Sequence, residues 1–221
     1  MSKKTIIAAV LAAACATAAW AEPADPIELP PPVTSGGAAL ADALSARATH
    51  REFSGEALSP QQLSDLLWAA NGINRPDVSK RTAPTAINRQ EIDLYACFAD
   101  GAYLYDAHAN VLKKVSDEDL RAYTGRMNAG AENFALAAPL AIVYVVDFAR
   151  QAMQDRPMDA LRYAAVDCGF IGQNVYLHCA ANGLSTVFLG MIDASAIAKA
   201  LGLPATSTAM FAQTVGFPAG Q

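Results

Sequence analysis

Two short segments carry most of the chemical capacity in this sequence, and neither assembles a complete set of acid, base and nucleophile. Residues 47–51 read Arg-Ala-Thr-His-Arg, which spaces two guanidiniums around a hydroxyl. Planar guanidiniums with a hydroxyl suit an anionic oxygen group. Residues 81–91 read RTAPTAINRQE, with Arg81 and Arg89, the hydroxyls of Thr82 and Thr85, and the amides of Asn88 and Gln90. That second segment has no Asp, His or Cys. Elsewhere the usual crews are missing. His50, His108 and His178 are the only histidines, and none forms a metal-ligand spacing such as H-E-x-x-H. The chain has no G-x-S-x-G elbow, no phosphate loop ending in Gly-Lys-Ser/Thr, and no G-x-G-x-x-G dinucleotide fingerprint. The acids at Asp117-Glu118 sit at a helix start, where the helix dipole accounts for them. The remaining option is a cofactor that brings its own reactivity while the protein supplies position and electrostatics.

These segments need elements to position them. Leu40 and Leu44 at helical spacing predict a short helix ending at Arg47. Ser59-Pro60-Gln61-Gln62 combines an N-cap, a proline at the first helical position and a capping box. Leu63, Leu66, Leu67 and Ala70 then give that helix a buried face, and Asn71-Gly72 ends it. Strands are predicted over 91–99 and 102–106 across an Asp100-Gly101 turn, then over 111–115. Residues 140–146 are an apolar, β-branched run that reads as a fully buried strand. Residues 158–182 form one long helical pattern with Leu161, Ala164, Ala165, Cys168, Ile171, Val175, Leu177 and Cys179 on most sides, which predicts a central, buried helix. A short strand over 186–189, a helix capped by Asp193 and a last strand over 210–216 complete the order. Such an order predicts an α+β fold, with a mixed or antiparallel sheet surrounded by helices.

The bulk numbers bound the rest. Lys3, Lys4, an apolar run over 6–16 and Ala19-Trp20-Ala21 fit a signal peptide cut after Ala21, so residues 1–21 are expected to direct export, to the periplasm. Lipid attachment at Cys15 ranks well below simple release, because Leu11 lies one place too early for the lipid box. Residues 22–37 are rich in proline and acids and read as an extended leader. Residues 38–221 then read as a single domain. With Lys3 and Lys4 gone, 14 basic residues face 21 acidic ones, a net charge of −7. A domain this acidic has no electrostatic footprint for nucleic acid. No later segment is long and apolar enough to span a bilayer. Cys97, Cys168 and Cys179 are too few and too uneven for a disulfide framework and read as buried thiols.

Taken in order, several segments resemble the nitroreductase superfamily of flavin-dependent oxidoreductases. Residues 47–53 are similar to its opening Arg-x-Ser/Thr-x-Arg-x-Phe. Residues 84–90 resemble its Pro-Ser-Ser/Ala-x-Asn-x-Gln loop. Residues 167–174 with Gly183-Leu184-Ser185-Thr186 look like its central helix and following turn, and Gly216-Phe217-Pro218 like its closing motif. Residues 67–72 with Arg75 look closest to a small branch similar to the dehydrogenases that oxidise azoline rings in modified peptides. The match runs from Ala38 to Pro218.

The resemblance implies FMN as cofactor and a homodimer with the site at the subunit interface. It implies that Arg47, Thr49 and Arg51 take the phosphate. Pro84, Thr85, Asn88 and Gln90 would meet the amide-like edge of the ring, with Asn88 first among them. Arg81 and Arg89 would place positive charge near the reduced ring. At Leu189 and Gly190 a backbone N–H would face the atom that accepts hydride. Tyr163 is a candidate proton donor, with packing the plainer reading. Trp68, Asn174 and His178 read as packing residues. The chain stops soon after Pro218, without the longer C-terminal arm of many relatives, and Ala86 replaces a second serine. Three readings stay open on these residues: an oxidoreductase with ping-pong transfer to or from a small organic substrate and an unknown electron donor, a flavin-binding protein without turnover, and an exported module for another anionic ligand. Within the first, a dehydrogenase acting on a peptide-derived heterocycle competes with a nitro or quinone reductase.

Overall fold

A computed structural model describes residues 25–125 and 133–220. The signal segment 1–21 and Cys15 lie outside the described residues. In chain order the elements are β1 (Ile27–Glu28), α1 (Leu40–Ala46), α2 (Pro60–Asn71), β2 (Ile73–Arg75), β3 (Lys80–Arg81), β4 (Ile92–Phe98), β5 (Gly101–Asp106) and β6 (Val111–Ser116). There follow β7 (Leu140–Asp147), α3 (Phe148–Gln151), α4 (Pro157–Ala181), β8 (Ser185–Leu189), α5 (Ala194–Ala200) and β9 (Ser207–Gly216). Seven strands form one sheet in the order β1-β6-β5-β4-β7-β9-β8, with each described pairing antiparallel. The fold is therefore α+β with an antiparallel sheet, as the sequence predicts.

β7 explains why the sheet is covered on both faces. Successive side chains of a strand point to opposite sides. Leu140, Ile142, Tyr144 and Val146 enter one core, with Leu66, Leu67, Cys168, Ile171 and Val175 of the two long helices. Ala141, Val143 and Val145 enter a second core with Ile197 of α5 and Leu120. A strand buried on both faces reads as an unbroken apolar run, which is what residues 140–146 show. Burial of each large side chain stabilises by about 1.5–3 kcal/mol.

α2 starts as its sequence dictates. Ser59 Oγ accepts from Gln62 N, and Ser59 N donates to Gln62 Oε1 at 2.9 Å, a complete capping box. Such a cap contributes about 1 kcal/mol. The stop differs from the expected left-handed one. Gly72 has φ −73°, and a Cβ there would lie 2.6 Å from the Trp68 backbone, so space and not backbone freedom requires the glycine.

Three expectations need correction. The leader is a strand: β1 pairs with β6, Leu29 is buried, and Ser64 Oγ donates to Pro30 O at 2.6 Å. α1 turns Leu40 and Leu44 to solvent and buries only Ala43. α4 is buried on one face alone, through Ala160, Ala164, Asp167, Cys168, Ile171, Val175 and Cys179. Met158, Leu161, Val166 and Phe170 remain exposed on the single chain, Phe170 at 43 %. Close contact on the buried face depends on Gly172, where a Cβ would meet the Phe188 ring at 2.7 Å. Cys97, Cys168 and Cys179 are buried free thiols, as predicted.

Candidate functional site

The segment after α1 is held to α4 by one tyrosine. Arg47 is the C-cap of α1, and its guanidinium carbon lies 5.3 Å from the centre of the Tyr176 ring. Thr49 Oγ1 is 3.0 Å from the Tyr176 hydroxyl, which also accepts the Phe188 N–H of β8 at 3.0 Å. His50 N donates to Thr186 O at 3.0 Å and fixes the same segment against β8. Arg51 is exposed and lines a cleft of about 350 Å³ with Thr49, His50, Glu52, Ser185 and Pro218. Leu189 is buried at the end of β8, and Gly190 beyond it is exposed. A Cβ at Gly190 would reach only the Phe211 ring, at 3.7 Å. That is ordinary contact, so nothing in the single chain demands glycine there. The structure thus brings Arg47, Thr49, Arg51 and the end of β8 around Tyr176.

The 81–90 segment is built differently. Arg81 closes β3, which pairs with β2 as a small hairpin that the sequence gave no sign of. Residues Ala86–Asn88 make a 3₁₀ turn, and Ile87, Asn88 and Gln90 have φ of 46°, 57° and 52°. A β-branched residue in left-handed backbone is strained, and such strain gathers at functional loops. The loop is braced from within. Gln90 N donates to Thr85 Oγ1 at 2.9 Å. Arg81 Nε donates to Gln90 Oε1 at 2.8 Å and its Nη1 to Asn71 O at 2.7 Å. Gln90 Nε2 donates to Ser79 O at 2.9 Å. The side chains of Arg81 and Gln90 are therefore engaged inside the loop, and burial pushes the Arg81 guanidinium below its ordinary range. Pro84, Asn88 and Arg89 are exposed. Asn88 makes a single 3.3 Å contact, from Gln90 Nε2 to its Oδ1.

Beneath this loop lie two carboxyl groups. Ala86 N donates to Asp167 Oδ2 at 2.8 Å, which ties the turn to α4. Glu91 is fully buried, next to Asp167, itself 2 % exposed. Gln151 Nε2 reaches Glu91 Oε1 at 3.4 Å, while Glu91 Oε2 has no donor. Burial, reinforced by the neighbouring Asp167, pushes the Glu91 carboxyl up to about 7.

The other candidates are structural in this chain. Asn174 Nδ2 donates to Ala70 O at 3.3 Å, joining the two long helices. Trp68 Nε1 donates to Ile73 O at 3.1 Å. Burial pushes His178 down, against the pull of Asp65. Tyr163 is half-buried and lies under Arg162, whose guanidinium carbon is 5.4 Å from its ring centre. Tyr176, Glu91 and Asp167 were not singled out in the sequence. Asp167 had a readable signal: an acid at the spacing of Ala164, Cys168 and Ile171 sits on a buried face and needs a partner. Tyr176 had a weaker one, a hydroxyl on an apolar helix that needs a bond. Glu91, polar at the head of a strand, had none.

Among the described residues no group of three or more His, Cys, Asp or Glu could hold a metal ion, and no helix is long and apolar enough to cross a membrane. No described hydrogen bond or ion pair joins residues 84–90 to the cluster around Tyr176. The regions touch α4 at Asp167 and Tyr176, about 13 Å apart along the helix axis.

This architecture recurs in known proteins. A nitroreductase crystal structure from Ralstonia eutropha superposes with a TM-score of 0.80 at 33 % identity, covering 89 % of this chain and 90 % of that one. A chain of the E. coli microcin synthetase McbBCD complex, with truncated pro-MccB17 bound, has a TM-score of 0.66 at 19 % identity, over 98 % of this chain and 85 % of that one. The NADPH:FMN oxidoreductase from Vibrio harveyi, complexed with NAD⁺, has a TM-score of 0.58 at 20 % identity, over 82 % of this chain and 69 % of that one. At those lower identities the likeness is one of fold. The sequence profile of the nitroreductase family matches residues 44–217, from α1 through the end of β9. With that match, and with its arginine segment, asparagine loop and central helix in the family's order, the chain belongs to the nitroreductase family.

Proposed function

We propose that the protein is an FMN-dependent oxidoreductase that works by ping-pong transfer in a homodimer. The nitroreductase family is typically flavin-dependent, which supports an oxidoreductase that uses a flavin. The choice of FMN is supported by the chemistry around Tyr176. Two guanidiniums and a hydroxyl face a cleft at the surface, a donor set suited to a terminal phosphate. The Vibrio harveyi protein of the same fold is an FMN oxidoreductase.

In this reading Arg47, Thr49 and Arg51 bind the phosphate and so set the depth of the cofactor. Asn88, exposed on its left-handed turn, offers a donor and an acceptor to an amide-like ring edge. Pro84, Thr85 and Gln90 fix the turn that presents Asn88. The backbone N–H groups at Leu189 and Gly190 face the reacting edge, where the open space at Gly190 permits close approach. Arg81 and Arg89 keep the loop positive. FMN, when bound, supplies hydride acceptance and release.

The observation that carries the dimer is the apolar ground left uncovered on one chain. Met158, Leu161, Val166 and Phe170 of α4 lie exposed, as do Leu40 and Leu44 of α1, which rests against α4. A contiguous exposed apolar face marks an interaction surface. A second copy covering it would bring the 84–90 loop of one subunit towards the Tyr176 cluster of the other. That arrangement accounts for a site split in two within one chain.

Residues 1–21 direct export in this reading. Nicotinamide cofactors are scarce outside the cytoplasm, so the donor is a redox protein, a quinol or the substrate itself. A dehydrogenase acting on a peptide-derived heterocycle is the second reading, favoured by the fold shared with the microcin synthetase chain. The test is a visible absorption spectrum of the mature protein before and after heat release. The expected result is a two-banded flavin spectrum, with FMN in the supernatant. A colourless protein that takes up no added FMN would sink the proposal.

A further inference from the structure

The strongest feature left unused by the proposed chemistry is the pair Glu91 and Asp167. They are 76 positions apart in the chain, on β4's leading residue and on α4, and they meet in the interior beneath the 84–90 turn. Asp167 holds the turn directly, since its Oδ2 accepts the Ala86 N–H at 2.8 Å. Two ionised carboxylates so placed would repel each other and would both lack solvent. Glu91 Oε2 would then be a buried acceptor facing another acceptor, and no described donor reaches it. One proton removes both problems. It halves the buried charge and supplies the missing hydrogen bond.

We propose that Glu91 stands protonated and donates from Oε2 to the Asp167 carboxylate, which aims the other Asp167 oxygen at Ala86 N and so fixes the turn that presents Asn88. Glu91 is a positioning residue in this scheme and touches no substrate. The groups around the pair are few. From α4 comes Cys168, whose thiol burial pushes far up, with Glu91 and Asp167 adding to the effect. From α3 come the neutral amide of Gln151 and Arg150, which donates to the Glu91 backbone carbonyl at 3.1 Å and pairs with Asp93 at 2.8 Å. Nothing here places a cation on the Glu91 carboxyl, so the shared proton is what balances the pair.

The sign follows from linkage. Glu91 is raised above its ordinary value in the folded protein, so the folded state holds the proton more tightly than the unfolded one. Its stabilisation is complete below the ordinary carboxyl range and is lost as pH rises towards about 7. Loss of the proton restores the repulsion and loosens the hold on Ala86. His178 is pushed down by burial and gives an opposite slope, so each comparison is made against a variant that alters Glu91 alone.

Two readouts on the mature protein test the proposal. The first is hydrogen exchange at the Ala86 amide, corrected for intrinsic rate, and needs no cofactor. The second is the FMN dissociation constant, which rests on the flavin reading. For a group titrating near neutrality, protection should fall about tenfold from about pH 6 to pH 8, and the dissociation constant should rise about tenfold. Glu91→Gln keeps a donor at the same place without a titrating proton. It should hold both readouts within about twofold across that range. Glu91→Ala, which removes the donor, should show weak Ala86 protection throughout. If no FMN binds but protection follows this pattern, the carboxyl pair stands and the flavin reading falls. If FMN binds while wild-type protection is flat with pH, or falls equally in Glu91→Gln, the pair does not share a proton and the proposal is overturned. The wild-type exchange profile alone decides the point should the variant not fold.

Discussion

Residues 47–51 and residues 81–90 draw on the same side chains, paired arginines with a threonine between them, yet the fold uses them in opposite ways. In the loop, Arg81 donates to Gln90 and to a backbone carbonyl, Thr85 accepts from Gln90 N, and Asp167 holds Ala86 from below. Those groups fix a backbone, and what they leave outside is Asn88 and Ile87. Around Tyr176 the reverse holds. A single hydroxyl and ring on α4 position Arg47 and Thr49, while Arg51 is exposed at the cleft. One region is a pre-shaped backbone with one presented amide; the other is a set of side chains on a fixed post. The difference teaches that residue type alone does not mark a binding group. An arginine whose donors meet carbonyls is architecture, and one that faces open space is available to a ligand.

The largest effect expected from breaking this contrast lies at the side-chain region. Arg47→Ala with Arg51→Ala removes two charge-assisted contacts, each worth about 1.5–3 kcal/mol. FMN affinity should fall on the order of 100-fold or more, with thermal stability nearly unchanged, because both guanidiniums lie near the surface. Equilibrium dialysis with a melting curve checks both halves. Unchanged affinity would show that the phosphate is held elsewhere.

Tyr176→Phe comes next. It keeps the ring under Arg47 and removes only the hydroxyl, so the Phe188 N–H loses its acceptor and Thr49 its partner. The cost should be about 1–2 kcal/mol of stability, with FMN affinity about tenfold weaker. If affinity falls as far as in the double arginine variant, the tyrosine is itself a ligand and not a post.

The fold was largely legible because it rests on local signals. The capping box at Ser59, the unbroken apolar run of β7 and the Asp193 cap each sit within a few residues. The Arg47, Thr49 and Arg51 cluster was legible for the same reason, being contiguous. Features made by distant pairings were not. The leader's pairing with β6, the strand order and the β2–β3 hairpin depend on partners that periodicity cannot name. Glu91 and Asp167 belong to this class. The uncovered face of α4 was misread as buried all round because an apolar side chain looks the same whether its cover comes from its own chain or from another.

Ile87 offers the smallest effect and a sharp one. Its φ of 46° places a β-branched residue in left-handed backbone, at a cost on the order of 1–2 kcal/mol. It is 77 % exposed on the single chain, so its side chain contributes little burial there. Glycine removes the strain but also loosens the unfolded chain by about 0.4–1 kcal/mol, and the two terms nearly cancel. Ile87→Gly should therefore shift the stability of an isolated subunit by no more than about 0.5 kcal/mol, read by denaturant titration at low protein concentration. At higher concentration the same titration has a second use. If a partner copy covers Ile87, the variant loses about 1.5–3 kcal/mol of burial across the interface, and its midpoint should fall behind wild type as concentration rises. Matching midpoints at every concentration would place Ile87 outside any subunit interface and leave the left-handed turn to Asn88 alone.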